Sequence, residues 1–382
     1  MTRLRIAIST GGGDAPGLNA VIRAVVLSAY ARGWETFGIL RGFGSLFDRL
    51  EGEEPSPWLG LERRKIAYQF GLMPLGPDEV RGITHLGGTI LGASNRGNPF
   101  KWAMPQPDGS VTEVDRSHEL VGAFQRAGID ALVSIGGDGS LAIANDLGKQ
   151  GVKVVGVPKT IDNDVWGTET TFGFDTAVAT ATDAIDKLHS TAQSHDRVMV
   201  VELMGRNAGW IALHSGLAGT ADVILIPEIP FDLDKVCDKI REREVYGRRF
   251  AIVVVAEGAR PRDGQFVLQE PERAGRAARL GGIGAMVAEA IAERTGKETR
   301  SLVLGHLQRG GSPSAFDRLL ALRFGAAAVG AIADGAFGHC VVYTPPEVGR
   351  RPLAEIGGRL KLVPLDSGVI MTARGLGVCL GD

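Results

Sequence analysis

The stretch from Leu4 to Trp34, LRIAISTGGGDAPGLNAVIRAVVLSAYARGW, joins a short apolar run to a glycine-rich turn and then to a longer apolar run. In the first run the apolar residues are nearly continuous and do not alternate with polar ones, which is typical of a strand that is covered on both faces. The second run has the length and spacing of a helix. Strand, turn and helix in this order predict the first unit of a βαβ series.

Similar runs recur along the rest of the chain. The predicted strands are ALVSIGG, VKVVGV, RVMVVELMG, DVILIPE and FAIVVVAEG, and helical patterns such as ATATDAIDKLH and GAMVAEAIAERTG lie between or after them. This alternation predicts an α/β fold, with mainly parallel sheets flanked by helices. The segments 48–80, 98–115 and 260–275 are rich in proline, glycine and charge, and we predict surface loops there.

Length and composition limit the possible functions. The chain has 382 residues, of which 44% are apolar and 23% charged, which is enough for two domains. A net charge of −2 gives no basic field, so we expect neither nucleic acid nor a membrane as partner. The three cysteines form no CxxC pair, which is typical of reduced thiols in a cytosolic protein. No signal-peptide pattern and no membrane-length apolar run is present, so a cytoplasmic protein is expected.

Two of the predicted strands end in glycine-rich turns that open helices. One is Ser9 to Arg23, and the other is Gly136 to Ser140. Ligands bind beyond the carboxyl ends of parallel strands, where glycines let backbone N–H groups approach a phosphate and a helix N-terminus attracts negative charge. Asp138 can hold Mg²⁺, although a helix N-cap is the simpler alternative. The first turn is neither GxGxxG nor a Walker A sequence, and a tight connection without a ligand is its simpler alternative.

A third strand end, Pro158 to Asp164, reads PKTIDND. In an extended backbone, Asp162 and Asp164 would face one way and Asn163 the other. A carboxylate beside a magnesium–phosphate site can take the proton from an attacking hydroxyl, and Thr160 can bind the transferred phosphoryl group. A turn stabilised by its own polar side chains, without chemistry, is the alternative.

A fourth strand end, Glu298 to Arg318, reads ETRSLVLGHLQRGGSPSAFDR. Its cations Arg300, His306 and Arg309 suit a sugar phosphate, because guanidinium groups donate in a planar fork that matches phosphate oxygens. The segments SHDR and MGRNAG add Arg197 and Arg206. Singly, each cation is typical of a solvated surface, and together they indicate an anion site.

These motifs give the chain a strong resemblance to the 6-phosphofructokinase family, which phosphorylates the 1-hydroxyl of fructose 6-phosphate. The resemblance runs from about residue 4 to 345 and includes GGTILG and GHLQRGG. It implies two similar lobes with the active site between them. The nucleotide lobe would be 1–173 with about 308–358, and the sugar-phosphate lobe would be 174–307 with about 359–382. It also implies a homodimer or homotetramer whose subunits complete one another's sites.

The resemblance also assigns roles to residues. Asp162 would be the general base, with Lys159 and Thr160 beside it, and Asp138 the Mg²⁺ ligand. The residues implied for nucleotide binding are Gly12, Arg96, Gly97, Gly137, Asp138, Gly139 and Ser140. Those implied for fructose 6-phosphate are Thr160, Ile161, Asp162, Met204, Gly205, Arg206, Glu257, His306, Leu307, Gln308 and Arg309, with Arg197 and Arg300 from a neighbouring subunit.

Two positions bear on the phosphoryl donor. Lys159 stands where the common bacterial ATP enzymes usually carry glycine, as it does in pyrophosphate users and in a mixed group that resembles them. Gly139 stands where pyrophosphate users typically carry aspartate. An acid at 139 would crowd and repel the α-phosphate of ATP, so we predict ATP as donor, with pyrophosphate as the alternative.

Other classes of function explain the sequence less well. A dinucleotide-dependent oxidoreductase requires GxGxxG after the first strand, and a sensor without catalysis would be expected to lose Asp138 or Asp162. NAD and diacylglycerol kinases share only the GGDG motif. Among acceptors, sedoheptulose 7-phosphate remains an alternative to fructose 6-phosphate.

Overall fold

The computed structural model describes residues 3–47, 71–94, 97–245, 247–262, 264, 267–270 and 279–382. Its strands are β1 (Arg5–Thr10), β2 (Glu35–Ile39), β3 (Leu72–Leu75), β4 (Trp102–Pro105), β5 (Val111–Val114), β6 (Ala131–Gly136), β7 (Val154–Pro158), β8 (Val198–Leu203), β9 (Val223–Leu225), β10 (Ala251–Ala256), β11 (Leu268–Glu270), β12 (Arg279–Leu280), β13 (Thr299–Val303), β14 (His339–Thr344) and β15 (Glu347–Pro352). Its α-helices are α1 (Leu18–Tyr30), α2 (Ser117–Arg126), α3 (Asp138–Lys149), α4 (Phe174–Ser194), α5 (Trp210–Ala218), α6 (Leu233–Val245), α7 (Ile283–Thr295), α8 (Ala315–Ala333), α9 (Leu353–Ile356) and α10 (Gly368–Gly375). Short 3₁₀ turns span Gly42–Leu46 and Gly305–Arg309.

The larger sheet has seven strands in the order β15-β14-β7-β6-β1-β2-β3. Its inner strands are parallel, and the edge strands β3 and β15 run antiparallel to their neighbours. The three central strands are almost completely buried. That burial agrees with their continuous apolar sequences, because helices cover both faces of a parallel sheet.

The smaller sheet has four parallel strands in the order β13-β8-β10-β9. Strands β8 and β10 are buried, whereas four of the five residues in the edge strand β13 are exposed. The two sheets therefore come from different parts of the chain, and β14 and β15 bring the chain back to the larger one.

The predicted α/β class is confirmed, and so are the strands and helices expected from apolar runs. The predicted loop at 98–115 is wrong, because it contains the hairpin of β4 and β5. The loops at 48–80 and 260–275 are wrong in part, since they contain β3 and β11, and residues 48–70 lie outside the described part of the chain. The hairpin strands escaped notice because they are largely exposed and carry no apolar face around the turn PQPDGS.

The smaller sheet's core extends beneath the glycine-rich turn after β1. Ala15 and Ile161 pack in one apolar cluster with Phe174, Leu203 and Ala256. Leu203 and Ala256 end strands β8 and β10, so the carboxyl ends of the two sheets face each other across this cluster. Among the described residues, no helix is long and apolar enough to cross a membrane.

Candidate active site

Three of the four predicted motifs begin at adjacent strand ends of the larger sheet. Thr10 of β1 is paired with Ile135 of β6, and Gly136 with Pro158 of β7. Backbone hydrogen bonds continue past the strands, from Gly11 N to Ile135 O (2.8 Å) and from Lys159 N to Gly136 O (2.9 Å). Adjacent parallel strands thus place both glycine-rich turns and PKTIDND on one rim.

The two glycine-rich turns meet at Ser140, in the first turn of α3. A Cβ atom at Gly11 would lie 2.5 Å from Ser140 Oγ, and one at Gly136 would lie 2.3 Å from Ser140 Cβ. Gly12 has a φ of +72°, in the left-handed region that favours glycine. At Gly139, by contrast, a Cβ atom would meet nothing within 4 Å. Packing against Ser140 therefore requires glycine at positions 11 and 136, whereas Gly139 leaves open space beside the helix N-terminus.

Asp138 opens helix α3 and lies near two further carboxylates. Its charge contributes to the raised pKa values of Asp162 and Asp164, although burial is the largest cause for both. Among the described residues, no group of three or more acidic, histidine or cysteine side chains could hold a metal by itself. The arrangement fits Mg²⁺, which takes one or two carboxylates and completes its coordination with substrate phosphates and water.

Lys159 is almost completely buried, with 3% of its surface exposed. Its ammonium group donates to the carbonyl oxygen of Gly13, which joins PKTIDND to the first glycine-rich turn. Burial and the charge of Arg309 lower its pKa to about 8, against the opposing effect of the surrounding aspartates. Lys159 is therefore a cation placed among the three motifs.

PKTIDND forms a turn after β7. Asn163 has a φ of +53°, so the prediction of an extended backbone is wrong. The Thr160 hydroxyl accepts a hydrogen bond from Asp162 N (3.1 Å), and the Asn163 side chain accepts one from Thr171 N (3.2 Å). The alternative prediction, a turn stabilised by its own polar side chains, is therefore confirmed. The same turn also brings the carboxylates close together.

Asp162 has a buried carboxylate oxygen, Oδ1, for which the described residues supply no hydrogen-bond partner. Burial raises the pKa of Asp162, while Arg309 and Lys159 act in the opposite direction. A buried acceptor without a partner is costly in a folded protein and is found where a ligand supplies the partner. Asp162 is accordingly a candidate to bind a ligand group through this oxygen.

The ends of β8 and β10 form the opposite rim. Glu257 N donates to Leu203 O (2.8 Å), and Gly258 N donates to Gly205 O (3.1 Å), so the segments after the two strands run together. Burial raises the pKa of Glu257 to about 7, and Asp162 is the next largest cause. Met204 is half-buried and Arg206 is exposed. Because the charge of Asp162 contributes to the pKa of Glu257, the two carboxylates lie close together, and the two sets of strand ends form one site.

Arg309 links the fourth motif to the first. Its guanidinium donates to Asp14 O (2.9 Å), and a Cβ atom at Gly13 would lie 2.8 Å from its Nη1. His306 and Leu307 are exposed nearby in the chain. Arg309 therefore connects the Gly305–Arg309 turn to the first glycine-rich turn through a hydrogen bond.

Two residues predicted to contact the substrate, Ile161 and Gln308, have no exposed surface. Ile161 packs in the apolar cluster described above. The Gln308 side-chain nitrogen donates to Gly305 O (3.0 Å), and its side-chain oxygen is buried without a hydrogen-bond partner among the described residues. Their contacts with the substrate stay predictions.

Arg197 and Arg300 lie near the amino ends of two neighbouring strands, Arg197 just before β8 and Arg300 in the edge strand β13. Both form salt bridges with Glu298, at 2.9 Å and 2.7 Å. Because Met204 and Arg206 follow the carboxyl end of β8, the two arginines lie at the other end of that strand.

The remaining predicted residues concern the nucleotide. Arg96 lies outside the described residues. Gly97 has a φ of +108° and packs against Trp102, and nearby Ser94 forms a β-bridge with Gly11. This segment therefore runs beside the first glycine-rich turn.

Sequence reasoning missed one close neighbour of the PKTIDND turn, Lys361. Its ammonium donates to Asn163 Oδ1 (2.9 Å), Thr168 O (3.1 Å) and Glu169 O (2.7 Å). It stands alone in GGRLKLV, 198 positions beyond Asn163, and no motif marks it.

Comparison with known proteins agrees with this geometry. A family model described as Phosphofructokinase matches residues 5–332. The chain belongs to the phosphofructokinase family. An ATP-dependent 6-phosphofructokinase from Chloroflexus aggregans is 50% identical over 379 residues, which cover 99% of this chain and 98% of that protein. A pyrophosphate–fructose 6-phosphate 1-phosphotransferase from Amycolatopsis methanolica is also 50% identical, over 364 residues, 94% of this chain and 96% of its own length.

Solved structures share the fold. A phosphofructokinase from Pichia pastoris in the T-state superposes with a TM-score of 0.74 at 31% identity, covering 93% of this chain and 35% of that longer one. A pyrophosphate-dependent phosphofructokinase from Marinobacter aquaeolei has a TM-score of 0.74 at 21% identity, covering 99% of this chain and 92% of its own. Several relatives at 44–50% identity are named ATP-dependent 6-phosphofructokinases, and pyrophosphate-dependent names at 48–50% identity are the minor alternative.

Proposed function

We propose that this protein is an ATP-dependent 6-phosphofructokinase, which transfers the γ-phosphate of ATP to the 1-hydroxyl of fructose 6-phosphate. The observation that carries the proposal is Asp162, with a buried, unpartnered carboxylate oxygen close enough to Lys159, Arg309 and Asp138 for their charges to shift its pKa. Phosphoryl transfer needs a group that accepts the hydroxyl proton and fixed charges around the phosphates.

Each residue of the cluster has a part in this reaction. Asp162 accepts the proton of the attacking hydroxyl, and Thr160 and Lys159 contact the phosphoryl group in transfer. Lys159 is held in place before any ligand binds, by its bond to Gly13 O. A charge fixed in a buried site stabilises developing charge without reorganising, which accounts for much of the catalysis expected here.

Asp138 would hold Mg²⁺ together with the phosphates, and the bound ion would neutralise phosphate charge. The backbone N–H groups at Gly12 and at the start of α3, from Gly137 to Ser140, would hold the nucleotide phosphates. Arg96 and Gly97 belong to the nucleotide side on sequence grounds.

Fructose 6-phosphate would lie across the opposite rim. Arg309 and His306 would hold its phosphate, and Met204, Gly205, Arg206 and Glu257 would contact the sugar. Glu257, with its pKa raised to about 7, accepts hydrogen bonds when ionised and donates when protonated. We assign residues 1–173 with 308–358 to the nucleotide lobe and 174–307 with 359–382 to the sugar-phosphate lobe, which follows the membership of the two sheets.

Gly139 supports ATP over pyrophosphate. A Cβ atom there meets open space, so the room beside the helix N-terminus is available to a larger donor. An aspartate side chain would fill that room and repel the α-phosphate, and the repulsion is stronger in a partly desolvated site than in water.

The experiment measures kcat/KM with Mg²⁺ and fructose 6-phosphate, using ATP and pyrophosphate in parallel, for the wild type, Gly139→Asp and Gly139→Ala. We expect the wild type to prefer ATP and Gly139→Asp to lose about 10²-fold in ATP kcat/KM through steric overlap and charge repulsion. Gly139→Ala is the matched control, because its methyl group also enters open space but carries no charge. A wild type that prefers pyrophosphate would overturn the donor assignment, and one inactive with both donors would overturn the function.

A further inference from the structure

Residues 357–363 run from the N-terminus of helix α3 to the smaller sheet and pass along the PKTIDND turn. Gly358 N donates to Asp138 O (3.4 Å), and Lys361 N donates to Asp164 O (2.8 Å). Leu360 forms a β-bridge with Val165. One short segment thus contacts the backbone of the proposed magnesium ligand and the backbone of the proposed base turn.

The segment is anchored on its far side by helix α5. Trp210 Nε1 donates to Lys361 O (2.8 Å), and Val363 N donates to the Glu228 carboxylate (2.8 Å), which also accepts from Gly209 N. The Lys361 ammonium lies 5.2 Å from the centre of the Trp210 ring. The backbone at 361 is therefore fixed by partners outside the turn that its side chain contacts.

The Lys361 ammonium is fully used inside the protein. It has three N–H bonds and three acceptors, namely Asn163 Oδ1, Thr168 O and Glu169 O. It cannot donate to a substrate without losing one of these bonds. Burial lowers the pKa of Lys361 to about 8, against the attraction of Glu169 and Asp164.

The Asn163 side chain is where this network reaches the site. Asn163 lies between Asp162 and Asp164 in a left-handed conformation, with a φ of +53°, that costs free energy in any residue with a Cβ atom. Its Oδ1 accepts from Thr171 N and from Lys361. Two donors thus hold the side chain of the residue that lies between the two aspartates in the chain.

We infer that Lys361 is a positioning residue for the proposed phosphoryl transfer, which sets the orientation of the Asp162 carboxylate through Asn163. This inference rests on the proposed function. A misplacement of about 1 Å in a reacting group can lower a rate by about 10²-fold without affecting binding. We therefore expect Lys361→Met, which keeps the length of the side chain but has no donors, to lower kcat by about 10- to 10²-fold while both KM values stay within about 3-fold.

The experiment compares kcat and both KM values for the wild type, Lys361→Met, Asn163→Gly and the double variant. Asn163→Gly accepts the left-handed backbone without strain and removes only the acceptor. If Lys361 acts through Asn163, the double variant should be no slower than the slower single variant. Lys297→Met is the control, because Lys297 is similarly buried and donates to Arg249 O, at the amino end of β13.

The outcomes separate the two proposals. A wild type without fructose 6-phosphate kinase activity would overturn the proposed function itself. With an active wild type, a Lys361→Met variant whose kcat equals that of Lys297→Met, or whose loss lies in KM, would overturn the positioning role. Multiplicative losses in the double variant would also overturn it. Should Lys361→Met fail to fold, as seen by thermal denaturation, Asn163→Gly alone decides: an unchanged kcat would overturn the inference.

Discussion

The surroundings of Arg309 differ from those of the pair Arg197 and Arg300. In the region of Arg309, Lys159 is buried, both cations donate to backbone carbonyls, and the charge of Arg309 contributes to the pKa values of Lys159 and Asp162. Around Glu298, the side chains of Arg197 and Arg300 are 27% and 63% exposed and share one surface carboxylate. Charges interact more strongly where water is excluded, so the first region has the character of a reaction site and the second that of a binding surface.

This difference indicates which parts of the proposed site a single chain supplies. The buried region has its base, cations and glycine-rich turns within a single chain. The exposed region has Arg300 on the edge strand β13 and Arg197 just before β8, at the amino end of that strand, whereas the segment that joins the buried region follows its carboxyl end. We therefore propose that Arg197 and Arg300 act in the site of a neighbouring subunit, in a homodimer or homotetramer.

The largest effect should come from the buried region. We expect Asp162→Asn to lower kcat by at least ~10²-fold, because the amide cannot accept the hydroxyl proton. KM for fructose 6-phosphate should change much less. Steady-state kinetics would check this, with Asp164→Asn measured alongside to separate the two carboxylates. A kcat within a few-fold of the wild type would assign the proton to another group.

In the exposed region, a smaller and different effect is expected. Arg300→Ala should raise KM for fructose 6-phosphate by about 10-fold with kcat largely retained, because it removes one charge-assisted bond to the phosphate. Arg294→Ala, which breaks a surface pair with Asp234, is the control.

Mixing subunits would test sharing directly. Asp162→Asn and Arg300→Ala subunits combined in one oligomer should form some sites with both residues intact, so that kcat/KM at low substrate exceeds the mean of the separate variants. No gain after confirmed subunit exchange would place Arg300 in its own chain's site or in none.

The smallest effect concerns a buried carboxylate that lacks the cations of the first region. Asp317, at the start of α8, accepts from Thr176 N (2.8 Å) and the Thr176 hydroxyl at the start of α4, and burial raises its pKa to about 6. The folded state then holds a proton that the unfolded state has lost. Stability from this group is therefore present at low pH and lost as pH rises from about 4 to 6.

Asp317→Asn should remove that loss. Relative to the wild type, the variant should gain on the order of 2 kcal/mol in unfolding free energy between pH 4.5 and 7, since one pKa unit is worth about 1.4 kcal/mol. Unfolding measured at several pH values would check this, with Asp334→Asn as a surface control. A constant difference across the range would show that Asp317 does not titrate there.

The sequence predicted the strands that build the rim, because buried parallel strands are written as continuous apolar runs. It also predicted which residue types meet there, since adjacent strand ends must converge. It did not predict the hairpin of β4 and β5, whose exposed strands carry no apolar pattern. Nor did it predict the bend at Asn163 or the role of Lys361, because both depend on contacts between segments far apart in the chain. For Ile161 and Gln308, which the sequence predicts as site residues, the structure adds that both are completely buried.

The bond between Lys361 and Asn163 also has a consequence for biosynthesis. The two residues are 198 positions apart, so the PKTIDND turn leaves the ribosome long before Lys361 is synthesised. Domains fold progressively from the N-terminal side during translation, and contacts of long sequence separation form late. Strands β1, β6 and β7 can assemble early, but the Asn163 side chain and the Asp164 carbonyl of the turn beside them gain their hydrogen bonds to Lys361 only after residue 361 has emerged. If Lys361 has the positioning role proposed above, a nascent chain stalled before residue 361 would carry the glycine-rich turns without the bond that holds Asn163.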